Sequence, residues 1–246
     1  MKYSISDVNT SAQIAPATTP WHRTVRSFVV RAGRMTTGQQ KAMDEVWPRL
    51  GLPFAKQPLD LDALFGRNAP RVVEIGFGNG DHLARLASTR PEADFIGIEV
   101  HRPGVGHLLH LASQGNLSNV RVSCHDAIEV LTEQLPEASL DELLLLFPDP
   151  WHKKRHNKRR IVQDSFLDLV ASRLKPEGVL RMATDWPPYA EHMLECLQRS
   201  KHFANLSPTG DWMPRDANRA TTRFERRGER LGHEVRDLAA RRVANS

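Results

Sequence analysis

Residues 143–160 read LLLLFPDPWHKKRHNKRR. Leu143 to Phe147 are five apolar residues in a row, the pattern of a strand buried on both faces. Pro148 and Pro150 end that strand and fix the backbone on either side of Asp149. The next ten residues, Trp151 to Arg160, hold six Lys or Arg and no acid. In an open α/β sheet, ligands bind beyond the carboxyl ends of the strands, so Asp149 stands where chemistry would take place. A cationic run at the same point suits a phosphate backbone. Charge alone would favour a solvated or nuclear-targeting stretch. A carboxylate held between two prolines at a strand end does not fit that description.

Working outward, strand and helix alternate. RVVEI (71–75) reads as a strand, GFGNG as a glycine loop, and 81–89 as a helix. DFIGIEV (94–100) is a second strand, followed by a helix over about 104–113 and a third strand, NVRVSC (119–124). Asp126 opens the short helix AIEVL, and Leu143–Phe147 is the fourth strand. A helical period over Ile161 to Leu174 leads to a turn, KPEG (175–178), then a fifth strand, VLRMAT, and a helix beginning at Pro187. Phe203–Leu206 and His233–Ala239 are candidate closing strands, with TRFERRGERLG between them as a loop or short helix. This alternation predicts an α/β fold with a mostly parallel sheet and helices on both faces.

The chain has 246 residues, 40% of them hydrophobic, which is enough for one domain with a substantial core. Residues 1–20, which include SAQIAPATTP, are expected to be a disordered tail, and 21–246 a single domain. Within the N-terminal extension Arg23, Arg26, Arg31 and Arg34 carry no acid among them. They form either a second phosphate contact or a tail that stays mobile until an anionic partner arrives. The net charge of +5 points to an anionic partner. Cys124 and Cys196 match no metal or redox spacing, which suggests reduced thiols in a cytoplasmic protein without a metal. No run reaches membrane-spanning length, and no apolar stretch follows the first charge as a signal peptide requires. The residues leave the oligomeric state open, with a monomer as the default.

The glycine spacing is Gly76, Gly78, Gly80 rather than the GxGxxG of dinucleotide binders. Glu74, two residues before the loop, would repel a pyrophosphate on the helix N-terminus. It favours a cofactor with positive charge and no phosphate, and S-adenosylmethionine has both an ammonium and a sulfonium. Glu99 ends the second strand, where an acid can accept ribose hydroxyls, and Asp126 follows the third, in reach of an adenine amine. Any one of these acids could be a helix cap or a surface charge. Three at the ends of three consecutive strands, beside the glycines, point to a cofactor site.

RVVEIGFGNG, FIGIEV, HDAIEVL, FPDPWHKKRHNKRR, RMATDWPPYA and TRFERRG occur in this order. With them the chain resembles the bacterial tRNA (guanine-N7)-methyltransferases from about Arg26 to its C-terminus, including RSFVVRAGRMTTGQQKAMDEVWPRLG. PDPW with its basic run is the most specific element, and GxGxG the least. The resemblance implies a class I methyltransferase (Rossmann-like) fold of seven strands with an antiparallel last strand. It implies methyl transfer from S-adenosylmethionine to N7 of a guanine in the variable loop of tRNA. By position, Glu74, Glu99, Asp126 and Asp149 match the family's cofactor contacts, beside Gly76 and Gly78, and Asp149 its proposed catalytic residue. Lys153, Asp185, Thr222, Arg223, Phe224 and Glu225 match substrate contacts. Arg155, His156, Asn157, Lys158, Arg159 and Arg160 match the RNA-contacting segment.

Asp185 also reads as a cap for the helix starting at Pro187, and Trp151 as either a base-stacking surface or core. One rival is an exocyclic amino-group methyltransferase, whose strand-end motif carries two prolines where this chain has Asp149–Pro150–Trp151. A second is a nucleic-acid-binding module that kept the fold and lost catalysis, which the intact acids oppose. A third is a nicotinamide-dependent oxidoreductase, which the loop spacing and Glu74 oppose.

Overall fold

The computed structural model describes residues 26–28, 33–214 and 234–243. The tail expected over 1–20, Arg23, Arg31 and the whole of Thr222–Glu225 lie outside the described residues. In chain order the elements are α1 (Thr37–Glu45), α2 (Trp47–Leu50), β1 (Gly51–Leu52), α3 (Leu61–Phe65), β2 (Arg71–Ile75) and α4 (Asp81–Thr89). Then come β3 (Asp94–Ile98), α5 (Arg102–Gln114), β4 (Val120–Ser123), α6 (Ala127–Glu133) and β5 (Leu140–Leu146). A 3₁₀ helix (Lys154–Arg159) precedes α7 (Asp164–Arg173), β6 (Leu174–Thr184), α8 (Pro187–Arg199), β7 (Phe203–Asn205) and β8 (Arg236–Arg242).

The described strands form one sheet in the order β1-β4-β3-β2-β5-β6-β8-β7. Strands β1 to β6 pair in parallel, and β8 is antiparallel to both of its neighbours. The seven expected strands and the antiparallel last strand are present. The eighth is β1, two residues long on the outer edge of β4 and too short to show any alternation. The last strand lies three residues later than the expected His233–Ala239. The KPEG turn sits inside β6, where pairing jumps from Leu140↔Leu174 to Glu142↔Val179 and Glu177 takes a φ of 67°.

Alternation along the strands sorts two cores. Val73, Ile75, Ile96, Ile98, Leu143 and Leu145 pack on α6, α7 and α8. Val72, Phe95, Val120, Val122 and Leu144 pack on α4, α5 and α1. With both faces covered, the central strands become the near-continuous apolar runs seen in the sequence.

Strand order reverses between β2 and β5, so the crevice at their carboxyl ends is the topological switch point. The loop after β2 enters it with Gly76 and Gly78 at φ of 69° and 60°, a region costly for any residue with a Cβ. Helix α5 seals the loop from behind. A Cβ on Gly104 would stand 2.0 Å from the Gly78 carbonyl oxygen.

The opposite end of the sheet is closed by charge. Asp94 opens β3 fully buried, with Oδ1 accepting from Arg67 Nη2 at 2.6 Å and Oδ2 lying 3.1 Å from Arg71 Nη1. Asp94→Ala leaves the buried Arg71 guanidinium without that partner and is expected to destabilise the fold by roughly 3–5 kcal/mol. Urea denaturation checks this, and a loss under 1 kcal/mol would show that the ion pair is not structural.

Candidate active site

A cleft opens at the switch point, beyond the carboxyl ends of the central strands. Ile75, Ile98, Val100, Ala127 and Leu145 give it apolar walls, with Gly76 at its base. Glu99, Asp126 and Asp149, from the ends of β3, β4 and β5, bring carboxylates to its lining.

Glu99 is tied to the backbone on two sides. Its Oε1 accepts from the N–H groups of Val100 (2.7 Å) and His101 (2.9 Å), and its Oε2 from that of Gly78 (3.0 Å). The carboxylate thus fastens the glycine loop to the start of α5. Three bonds leave about one of its four acceptor sites for a ligand. Asp126 caps α6, with Oδ1 accepting from the Ile128 N–H at 2.9 Å. His125 beside it stacks on Phe54, with ring centroids 3.8 Å apart and planes 12° apart, and pairs with Glu129.

Glu74 is buried near the end of β2, just before the glycine loop, behind the residues that line the cleft. The strand period puts it on the Val72 face, toward α4, where its Oε2 meets His82 Nδ1 at 3.0 Å. His82 lies in the first turn of α4, so this pair ties β2 to the helix that follows the glycine loop.

Asp149 is exposed at the cleft's edge. Its turn is held by two aromatic residues with left-handed backbone, Phe147 (φ 52°) and Trp151 (φ 49°). The Phe147 N–H donates to Ala183 O at 2.8 Å, and the Trp151 N–H to Asp149 Oδ1 at 3.2 Å. The Trp151 indole Nε1–H donates to Ser27 O at 3.0 Å, and the Arg159 guanidinium lies 3.8 Å from the centre of the Trp151 rings. Arg159 also donates to Arg26 O at 3.1 Å and Phe28 O at 3.4 Å. Trp151 is therefore a clamp between the basic segment and residues 26–28, of which Ser27 and Phe28 line the cleft.

The basic run splits in two. Lys153, Lys154, Arg155 and Lys158 are exposed, Arg159 is half-buried, and Arg160 is 6% exposed. Desolvation, together with repulsion from Arg155, Arg159, Lys153 and Lys158, pushes the pKa of the His156 imidazole down. Asp185 is half-buried just past β6, and the register Leu146↔Ala183 sets the ends of β5 and β6 side by side. The N-cap residue of helix α8 is Trp186, with no side-chain cap bond, so Asp185 does not cap it.

A family model described as a putative methyltransferase matches residues 68–238. A tRNA (guanine-N(7)-)-methyltransferase of Cronobacter sakazakii is 56% identical over 221 residues, covering 90% of this chain and 92% of the relative. One from Sodalis glossinidius is 57% identical over 216 residues, covering 88% and 90%.

The chain belongs to the tRNA (guanine-N7)-methyltransferase family.

The 16S rRNA methyltransferase KamB matches with a TM-score of 0.55 at 15% identity, over 80% of this chain and 99% of that one. The antibiotic-resistance methyltransferase Kmr matches at 0.53 and 15%, over 79% and 96%. At that identity they show a shared class I methyltransferase fold alone. Among the described residues no group of three or more His, Cys, Asp or Glu could hold a metal ion, and no helix is long and apolar enough to cross a membrane.

Sequence reading missed four contributors to the site: Ser27 and Phe28 in the cleft wall, His82 beneath Glu74, and the Phe54–His125 stack. Each depends on tertiary contacts, which local pattern does not encode. Glu99→Gln would turn an NH₂ toward a backbone N–H. It is expected to weaken methyl-donor binding by about 1.5–3 kcal/mol, roughly 10- to 150-fold. Calorimetric titration with the donor checks this, and an unchanged affinity would remove Glu99 from the site.

Proposed function

We propose that this chain methylates N7 of a guanine in the variable loop of tRNA, with S-adenosylmethionine as donor. The observation that carries the reading is Asp149 at the edge of a cleft lined by Glu99 and Asp126, beside four exposed cations, in a chain of this family.

The residues present fit the donor. A Cβ built on Gly76 or Gly78 would meet nothing within 4 Å, so the loop presents bare backbone with room for a ligand. The apolar walls suit an adenosine, Asp126 lies where an adenine amine would be read, and Glu99 has acceptor capacity for a ribose hydroxyl. Glu74, two residues before Gly76, is the expected partner for the donor's positive charge. When bound, S-adenosylmethionine supplies a methyl group on a cationic sulfur.

N7 of guanine carries an in-plane lone pair and no proton, so the protein needs no general base for this transfer. Its main task is alignment, which depends on a rigid base-binding edge. Asp149, fixed by its turn, offers negative charge to a purine that becomes cationic as the bond forms. It also accepts from the guanine N1–H and N2–H edge. Lys153, Lys154, Arg155 and Lys158 provide the phosphate-facing surface. Asp185, Lys153 and the segment Thr222, Arg223, Phe224 and Glu225 complete the substrate side of this proposal.

Two measurements test it. Asp149→Asn removes the charge and keeps the shape. Single-turnover methylation of tRNA at saturating donor is expected to slow by about two to three orders of magnitude, with both ligands still bound. Near-normal turnover would move the catalytic role to Asp185, and a rate restored by more donor would make Asp149 a donor ligand only. Joint replacement of Lys154, Arg155 and Lys158 by Ala is expected to flatten log K against log salt for tRNA by roughly 2–3. Lower affinity at an unchanged slope would show that these cations do not touch phosphates.

A further inference from the structure

Arg160 closes the basic run, yet it faces the interior and is only 6% exposed. Its Nε–H donates to Pro150 O at 3.0 Å, the carbonyl of the residue after Asp149. Its Nη1–H donates to Pro188 O at 3.3 Å, in the first turn of α8 and three residues past Asp185. The guanidinium lies 4.8 Å from the centre of the Tyr189 ring. That ring is fully buried, and its hydroxyl accepts from the Val162 N–H at 3.3 Å, so the platform is itself fixed. One planar cation therefore joins the turn carrying Asp149 to the helix that follows Asp185.

We propose that Arg160 is a positioning residue for methyl transfer, setting the Asp149 turn against the start of α8, and that it makes no phosphate contact. Only a guanidinium presents donors in a fork that can reach two carbonyls on separate elements while stacking on an aromatic ring. Lysine would keep the charge but offers one nitrogen. Burial lowers the Arg160 pKa, with Tyr189 opposing, consistent with a cation withdrawn from solvent. A second contact between these segments, His152 edge-on to Trp186 with ring centroids 4.3 Å apart, carries no directional hydrogen bond, and displacements near 1 Å can cost about 10²-fold in rate.

The test uses the full chain, S-adenosylmethionine and tRNA, with Arg160→Lys as the main variant and Arg160→Gln as the second. For both, single-turnover methylation at saturating ligands is expected to fall by about 10- to 100-fold. Donor affinity and the slope of tRNA affinity against salt should match the unmodified protein. Lys158→Ala gives the reference slope change for a lost phosphate contact, about 0.7–0.9. A comparable flattening in Arg160→Gln, or a normal rate in Arg160→Lys, would overturn the proposal. Loss of donor binding by both variants would overturn it too, by making Arg160 a requirement of folding alone. The proposal rests on the reading of Asp149 above. Slow Asp149→Asn with normal Arg160→Lys rejects positioning alone, whereas normal Asp149→Asn rejects the reading beneath it.

Discussion

The Arg159 guanidinium lies 3.8 Å from the centre of the Trp151 rings, and the indole N–H on that same side chain reaches back to Ser27. These two contacts hold a residue whose backbone is left-handed, and Phe147 four residues earlier has the same hand. For L-residues that conformation costs about 1–2 kcal/mol each, so the turn persists only while its surroundings over-determine it. The surroundings do so from three directions: Ala183 on the neighbouring strand, Ser27 near the N-terminus, and the basic segment itself. The path of everything that leaves β5, including the direction in which the cations point, follows from that anchoring.

This arrangement divides one cluster of positive charge between two tasks. The side chains at 153, 154, 155 and 158 remain in solvent, where a cation loses little hydration and keeps its long-range field. Those at 159 and 160 are drawn onto backbone carbonyls, which have partial negative charge but no mobile counter-ion. Both inward positions are arginine, whose several donors can serve carbonyls from different segments at once. Three of the four outward positions are lysine, a flexible point charge suited to a polyanion.

Much of the upper half of the sheet was legible from residue pattern. The β2 strand and α4 fall at their expected residues because a buried parallel strand and a glycine loop leave few alternatives. Asp126 was readable both as a cap and as a cleft residue, and it lies in both places. Elements set by distant partners were not legible. β1 is a strand only because β4 offers it an edge, and the interruption inside β6 becomes visible only through its pairing with β5. The same limit explains Glu74, since a carboxylate's face on a strand follows from the period but its partner, His82, comes from packing. It also explains Arg160, indistinguishable in sequence from the cations around it until its neighbours are known.

The contact between Gly104 and the Gly78 carbonyl has a bearing on how this chain can vary. The glycines that shape the loop are easily spotted, but the space they need is guarded by others outside the motif. Gly97 is a second such guard, because a Cβ there would stand 2.6 Å from Leu83 and 2.7 Å from Phe77, the residue between the first two loop glycines. A library that protects only Gly76, Gly78 and Gly80 would therefore keep losing the cleft to substitutions in α5 and β3, outside the glycine motif itself. In engineering terms the inviolable unit is a three-layer stack of loop, strand and helix, and freedom to diversify begins only beyond it.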